Sequence, residues 1–266
     1  MSTFIAVVFP DDAKAFEGTR ALRDLHAEGS ITVFALAVIE KTRDGKVVLR
    51  QAADPGPIGT AIGAAVGGLL GVLAGPVGVV AGAAGGAVIG SLGDLFDLGI
   101  GREFLDQVSA ELSPGKVAIV AEVAESWPVP LDTRMGALGA RVVRTWRADL
   151  EGDRIASEIA AQRAAYEELK ADYAHARDEA KAKLKASMDR AAKDLAKAQA
   201  RASAKLETLD KERKARISEL EQQFRDARGE AKAKLSQRMA ALHADYELRS
   251  DKLHQAWELT KQAMAA

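Results

Sequence analysis

Between Gly59 and Gly93 the chain reads GTAIGAAVGGLLGVLAGPVGVVAGAAGGAVIGSLG, without one charged side chain. Glycine recurs there at Gly59, Gly63, Gly67, Gly71 and Gly75, then at Gly78, Gly82, Gly86 and Gly90. A glycine costs about 1 kcal/mol against alanine inside a helix, so two such series must serve a close approach to the backbone. A step of four is nearly one helical turn, so each series makes one smooth stripe that another helix can meet at short range. Pro76 marks a turn between residues 57–75 and 77–93, and Pro57 sits in a first turn, where proline is tolerated. The prediction is a glycine-zipper helical hairpin over 55–93. Each arm is slightly shorter than the ~20 residues of a membrane span, and two destinations suit the pair: a lipid bilayer, or the protein interior of an assembly.

The segments on either side differ in style. Residues 1–150 carry 13 basic and 17 acidic side chains and all seven prolines, whereas 151–266 carry 24 and 21 with no proline. TFIAVVF (3–9) reads as a strand, and 11–29 as a helix with Ala15, Leu22 and Leu25 on one face and Gly29 as its stop. ITVFALAVIEK (31–41) and KVVLRQ (46–51) flank TRDG, a hairpin signal. Beyond the glycine stretch, 102–112 reads as a helix and 116–123 as a strand, and LDTRMGALGA followed by RVVRTW adds a further helix and strand. The order βαββ, helical hairpin, αβ predicts an α+β, ferredoxin-like domain made of residues 1–54 and 94–150.

The stretches FIAVVFPDDAKAFEGTRALRDL, DGKVVLRQ, LGDLFDLGIGREFLDQVSAELSPGKVAIVAEV and GARVVRTW together resemble a bacterial domain-of-unknown-function family of small proteins labelled predicted membrane proteins. The resemblance covers residues 3–147. It implies a ferredoxin-like domain with a membrane-associated or self-packing glycine-zipper insertion, and it supplies no catalytic residue. Residues 151–266 lie outside it.

Those residues predict a long, charged, alanine-rich, coiled-coil-like helix, with a weakly apolar stripe stepping in threes and fours from Ile155 to Trp257. The period, about 3.63 residues per turn, is that of a straight helix and not of heptads. YAHARDEAKAKLKASM (173–188) aligns with FRDARGEAKAKLSQRM (224–239) at an offset of 51, about 14 turns, so both copies of a continuous helix would show the same face to one partner. Leu184, Leu195, Leu206, Ile217, Leu235, Leu242 and Leu253 are the expected seam, buried by bundling with sister chains.

Chemistry-bearing patterns are sparse. His26, His175, His243 and His254 are far apart in the sequence and read as surface residues. Gly45–Lys46 and Gly115–Lys116 are each followed by valine and make no phosphate loop. Asp94, Asp97 and Asp106 read as caps and a solvated rim. The chain has no cysteine, and its net charge of -1 gives no general basic field, so no metal, cofactor or nucleic-acid partner is expected. The N-terminus lacks a basic region ahead of its apolar run, so the expectation is a cytoplasmic protein, placed at the inner face of the cytoplasmic membrane if the hairpin meets lipid. The expectation is a non-enzymatic, self-assembling homo-oligomeric scaffold, with a ligand-sensing ferredoxin-like module and a soluble cage with a buried hairpin as the alternatives.

Overall fold

The computed structural model describes residues 2–51, 100–147 and 150–265. The expected helical hairpin, with its stripe from Gly59 to Gly90, lies outside the described residues. The described residues divide into two compact units, one reaching to Arg147 and including Glu212–His243, the other made of residues 150–211 and 244–265.

In the first unit the element order is β1 (Thr3–Phe9), α1 (Asp12–Ala27), β2 (Ile31–Lys41), β3 (Val47–Gln51), α2 (Arg102–Glu111), β4 (Val117–Glu125), α3 (Val129–Ala137) and β5 (Val142–Trp146). The five strands form one sheet in the order β3-β2-β4-β1-β5, with every neighbouring pair antiparallel. The Asp11 side chain caps α1 by accepting from the Lys14 N–H at 2.8 Å. Gly29 ends that helix at φ +72°, a left-handed conformation that disfavours a side chain.

Strand alternation sorts the core into two layers. Ile5, Val7, Phe9, Ile119, Ala121 and Val123 face α1 and α3, where Leu22, Leu25, Leu131 and Met135 are buried. Phe4, Ala6, Val8, Ala118 and Val120 face the other way, onto Phe104, Leu105 and Val108 of α2. Gly18 lets α1 settle on β1, since a Cβ there would lie 2.3 Å from the Phe9 ring.

The single helix expected over 151–266 is corrected to three: α4 (Leu150–His175), α5 (Asp178–Asp226) and α6 (Glu230–Ala265). The interruptions fall inside the 51-residue echo, at Ala176–Arg177 and at the equivalent Ala227–Arg228, followed in the second copy by Gly229 at φ +55°. Asp178 and Glu179 open α5 and Glu230 opens α6, acidic residues that suit the positive end of a helix. The echo therefore repeats a stop followed by a start. An apolar period runs through such a break unaltered, which is why it reads as one helix.

In the second unit, Glu158 pairs with Arg201, and Glu151 with Lys205 at 2.8 Å, so α4 and the first part of α5 run antiparallel. Lys252 of α6 reaches Asp153 of α4 at 2.7 Å. Ile155, Ile159, Leu195, Ala198, Ala202, Tyr246 and Leu253 are buried in this unit. The chain is thus a mixed α+β protein, mostly helical by residue, with long C-terminal helices.

Candidate functional site

The site starts from a charge where a strand should have none. In VAIVAEVAE of β4, Glu122 falls on the α2-facing side by alternation with Ala118 and Val120, and it is fully buried. It sits opposite Phe4 of β1 and Ala35 of β2. A bare carboxylate there would cost several kcal/mol of lost hydration, so it must be partnered.

The partners come from both ends of the chain. The Ser2 hydroxyl donates to Glu122 Oε1 at 2.7 Å, and Arg216 Nη2 lies 2.7 Å from the same oxygen. Arg216 Nη1 donates to Ser2 Oγ at 3.2 Å, and its guanidinium stands 4.9 Å from the centre of the Phe34 ring. Arg147, just past β5, places Nη1 3.7 Å from Glu122 Oε1 and donates from Nη2 to Glu212 Oε2 at 2.8 Å. Two carboxylates thus face two guanidiniums. Burial pushes the Glu122 carboxyl up, but Arg216, Arg147 and the Ser2 hydroxyl together overcome it and hold the group below the usual carboxylate range. Glu122 Oε2 and Arg216 Nε have no hydrogen-bond partner among the described residues, so the network is tight in charge and incomplete in hydrogen bonds.

Helix geometry explains how α5 supplies these groups. Glu212, Arg216, Leu220, Gln223 and Ala227 are all buried, at steps of four, four, three and four. From Glu212 to Gln223 the helix rises about 16 Å, close to the three strand spacings of about 4.8 Å from β5 across β1 and β4 to β2. Each turn accordingly meets the next strand: Glu212 meets Arg147 beyond β5, Arg216 meets Ser2 and Glu122 at β1 and β4, and Gln223 meets β2.

A second cluster wraps the turn between α1 and β2. Gln223 Nε2 donates to the carbonyls of His26 and Ile31, and Gln223 Oε1 accepts from Thr32 Oγ1 at 2.7 Å. Arg238 of α6 donates to the carbonyls of Gly29 and Ser30. Ala231 lies so close that a Cβ on Gly29 would stand 2.8 Å from its own Cβ. His26 Nδ1 accepts the Val33 N–H at 3.1 Å, and Nε2 lies 3.6 Å from Glu219. Burial and the Arg238 charge push the imidazole below its ordinary value, against the opposing pull of Glu219. The expectation of a surface His26 is therefore corrected: it is half-buried, and its ring holds a backbone amide. Leu22, Arg23, His26, Val33, Leu36 and Glu219 line a hollow of about 230 Å³ beside it.

The expected seam does not form one interface. Leu235 and Leu242 are buried in the first unit, Leu195 and Leu253 in the second, while Leu184, Leu206 and Ile217 are half-buried. What the apolar reading passes over is that Arg216 and Gln223 continue the inward spacing of Leu209, in steps of seven. A charged or amide side chain at an inward helical position is a legible signal, provided that such positions are admitted as buried. Among the described residues no group of three or more His, Cys, Asp or Glu is placed to hold a metal ion, and no helix is long and apolar enough to cross a membrane.

Residues 59–160 are similar to a family described as a protein of unknown function, DUF1269. The match takes in Glu122 and Arg147 but leaves out Glu212, Arg216, Gln223 and Arg238. It is consistent with the resemblance to a domain-of-unknown-function family, although it starts at residue 59 and not at 3. No curated protein and no solved structure matches the chain.

Proposed function

We propose that this chain is a non-enzymatic scaffold that assembles with copies of itself through the glycine stripe of residues 55–93, at the cytoplasmic face of a membrane. The observation that carries the reading is how the buried charges are used. Glu122, Arg147, Glu212 and Arg216 face one another, in contacts that tie remote parts of the chain together. A buried charge spent on its neighbours serves shape before chemistry. The sheet order supports a ferredoxin-like reading: β5-β1-β4-β2 with crossovers α1 and α3 is a split βαβ pattern, to which β3 and α2 are added. Leu195, Leu235, Leu242 and Leu253 are buried within the chain, so self-association is assigned to the glycine stripe and not to a seam of these leucines.

The particle mass of the full chain tests this, compared with Gly67→Leu and Val66→Leu. A new side chain on the stripe should lower the mass far more than a larger one beside it. Equal masses for all three chains would remove close glycine packing as the basis of assembly. Carbonate-washed membranes separate the two destinations: retention of the parent in the pellet favours lipid, and release favours a protein interior.

The ligand-sensing reading has one observation in its favour, the hollow edged by Arg23, His26 and Glu219 over Leu22, Val33 and Leu36. A small metabolite retained in native mass spectra and lost in Leu36→Trp would favour it.

A further inference from the structure

We propose that the arm formed by residues 212–243 is an acid-released latch, held shut over the turn between α1 and β2 for as long as the His26 ring is neutral. The inference stands on the geometry of that turn and not on the assembly reading. His26 Nδ1 accepts the Val33 N–H, which fixes the neutral tautomer with its proton on Nε2 and leaves that edge facing Glu219. A second proton would go to Nδ1 and set one donor against another, so that Val33 loses its acceptor inside a partly buried site. His26 is also the hinge of the latch's own contacts, because Gln223 donates to its carbonyl and Arg238 grips Gly29 and Ser30 beside it.

The charges facing the ring decide the sign. On α1, Arg23 lines the same hollow; on α6, Arg238 opposes an imidazolium; on α5, Glu219 alone favours it, from a half-exposed position. From β2 the ring meets the Val33 amide and apolar side chains. Burial acts in the same direction as Arg238, and the closed ring therefore takes up a proton less readily than a free imidazole. The contribution of His26 is complete above the ordinary imidazole value of 6.5 and is lost as pH falls through its lower value in the closed state. Glu122, held below the ordinary 4.5, stays ionised meanwhile and keeps the other end of the arm fastened. Mild acid therefore loosens the end at Gln223 and Arg238, and stronger acid is needed to free the end at Arg216.

The absence of cysteine makes the test direct. Spin labels on the full chain at Arg20→Cys and Gln222→Cys, exposed positions on α1 and α5, report the closure as a distance by pulsed dipolar spectroscopy. One short distance is expected at about pH 7.5, and a second, longer population should grow as the pH is lowered to about 5. His26→Asn places an amide oxygen where Nδ1 accepts and does not titrate, so it should stay closed at both values. Glu219→Gln removes the one charge that favours the imidazolium in the closed state, so its open fraction at about pH 5 should exceed the parent's. A parent with one unchanged distance across this range would overturn the latch, as would a His26→Asn chain that opens as the parent does.

Discussion

The two faces of the sheet are held by different physics. On one, α1 and α3 cover Ile5, Val7, Ile119 and Val123 with Leu22, Leu25, Leu131 and Met135, an apolar contact throughout. On the other, α2 covers Phe4, Ala6, Val8, Ala118 and Val120, while Arg216 meets Glu122 and Gln223 meets Thr32 from a helix remote in sequence. Apolar packing tolerates small errors of register, because area is lost by degrees. An ionic network does not, because one missing partner strands a buried charge. The second face therefore specifies where the arm must lie more sharply than it strengthens the fold.

Substitutions can break that contrast at several points. The largest effect is expected for Arg216→Ala, which leaves Glu122 buried with one guanidinium fewer and should cost about 3–5 kcal/mol, read as a lower urea midpoint. Leu131→Ala on the apolar face, away from the hollow beside His26, should cost about 2–5 kcal/mol through its cavity, with no change in the pH dependence of stability. That contrast is the sharper measurement. The parent should lose stability as pH falls below the ordinary 4.5 of a carboxyl, because the unfolded chain takes up the proton that folded Glu122 refuses. In Glu122→Gln that part of the loss should vanish.

Gly29→Ala should cost about 1–2 kcal/mol for its left-handed backbone, with a further cost from the approach of Ala231. Hydrogen exchange should show that cost as faster exchange around both the turn and the start of α6. Smallest of all, Lys197→Ala removes the exposed partner of Asp194 and should leave the urea midpoint within error.

The difference between the faces is also the difference between what is and is not legible in the sequence. Strand alternation, the TRDG turn and the Gly29 stop are local signals, and β1, α1 and β2 fall where their residues indicate. Ala15, Leu22 and Leu25 are buried as their spacing requires. The helix breaks at Ala176–Arg177 and Ala227–Arg228 were hidden because an apolar period shows which face is buried and not whether the backbone is continuous. Glu122 and Arg216 were hidden because each alone is a misplaced charge, and only their contact across the fold explains either. Leu184 and Leu235, equivalent in the echo, differ in burial because each lies in a different unit with different neighbours.

The account rests on the arm being part of the α+β unit through Glu122 and Arg216, and a double-mutant cycle on the full chain tests that most directly. Glu122→Leu and Arg216→Leu should each be strongly destabilising. The pair together should cost less than the sum of the two, by a coupling of about 1–3 kcal/mol between positions remote in sequence. Additive effects within about 0.5 kcal/mol would mean that the two side chains do not meet, and that the arm is not held on the sheet by this contact.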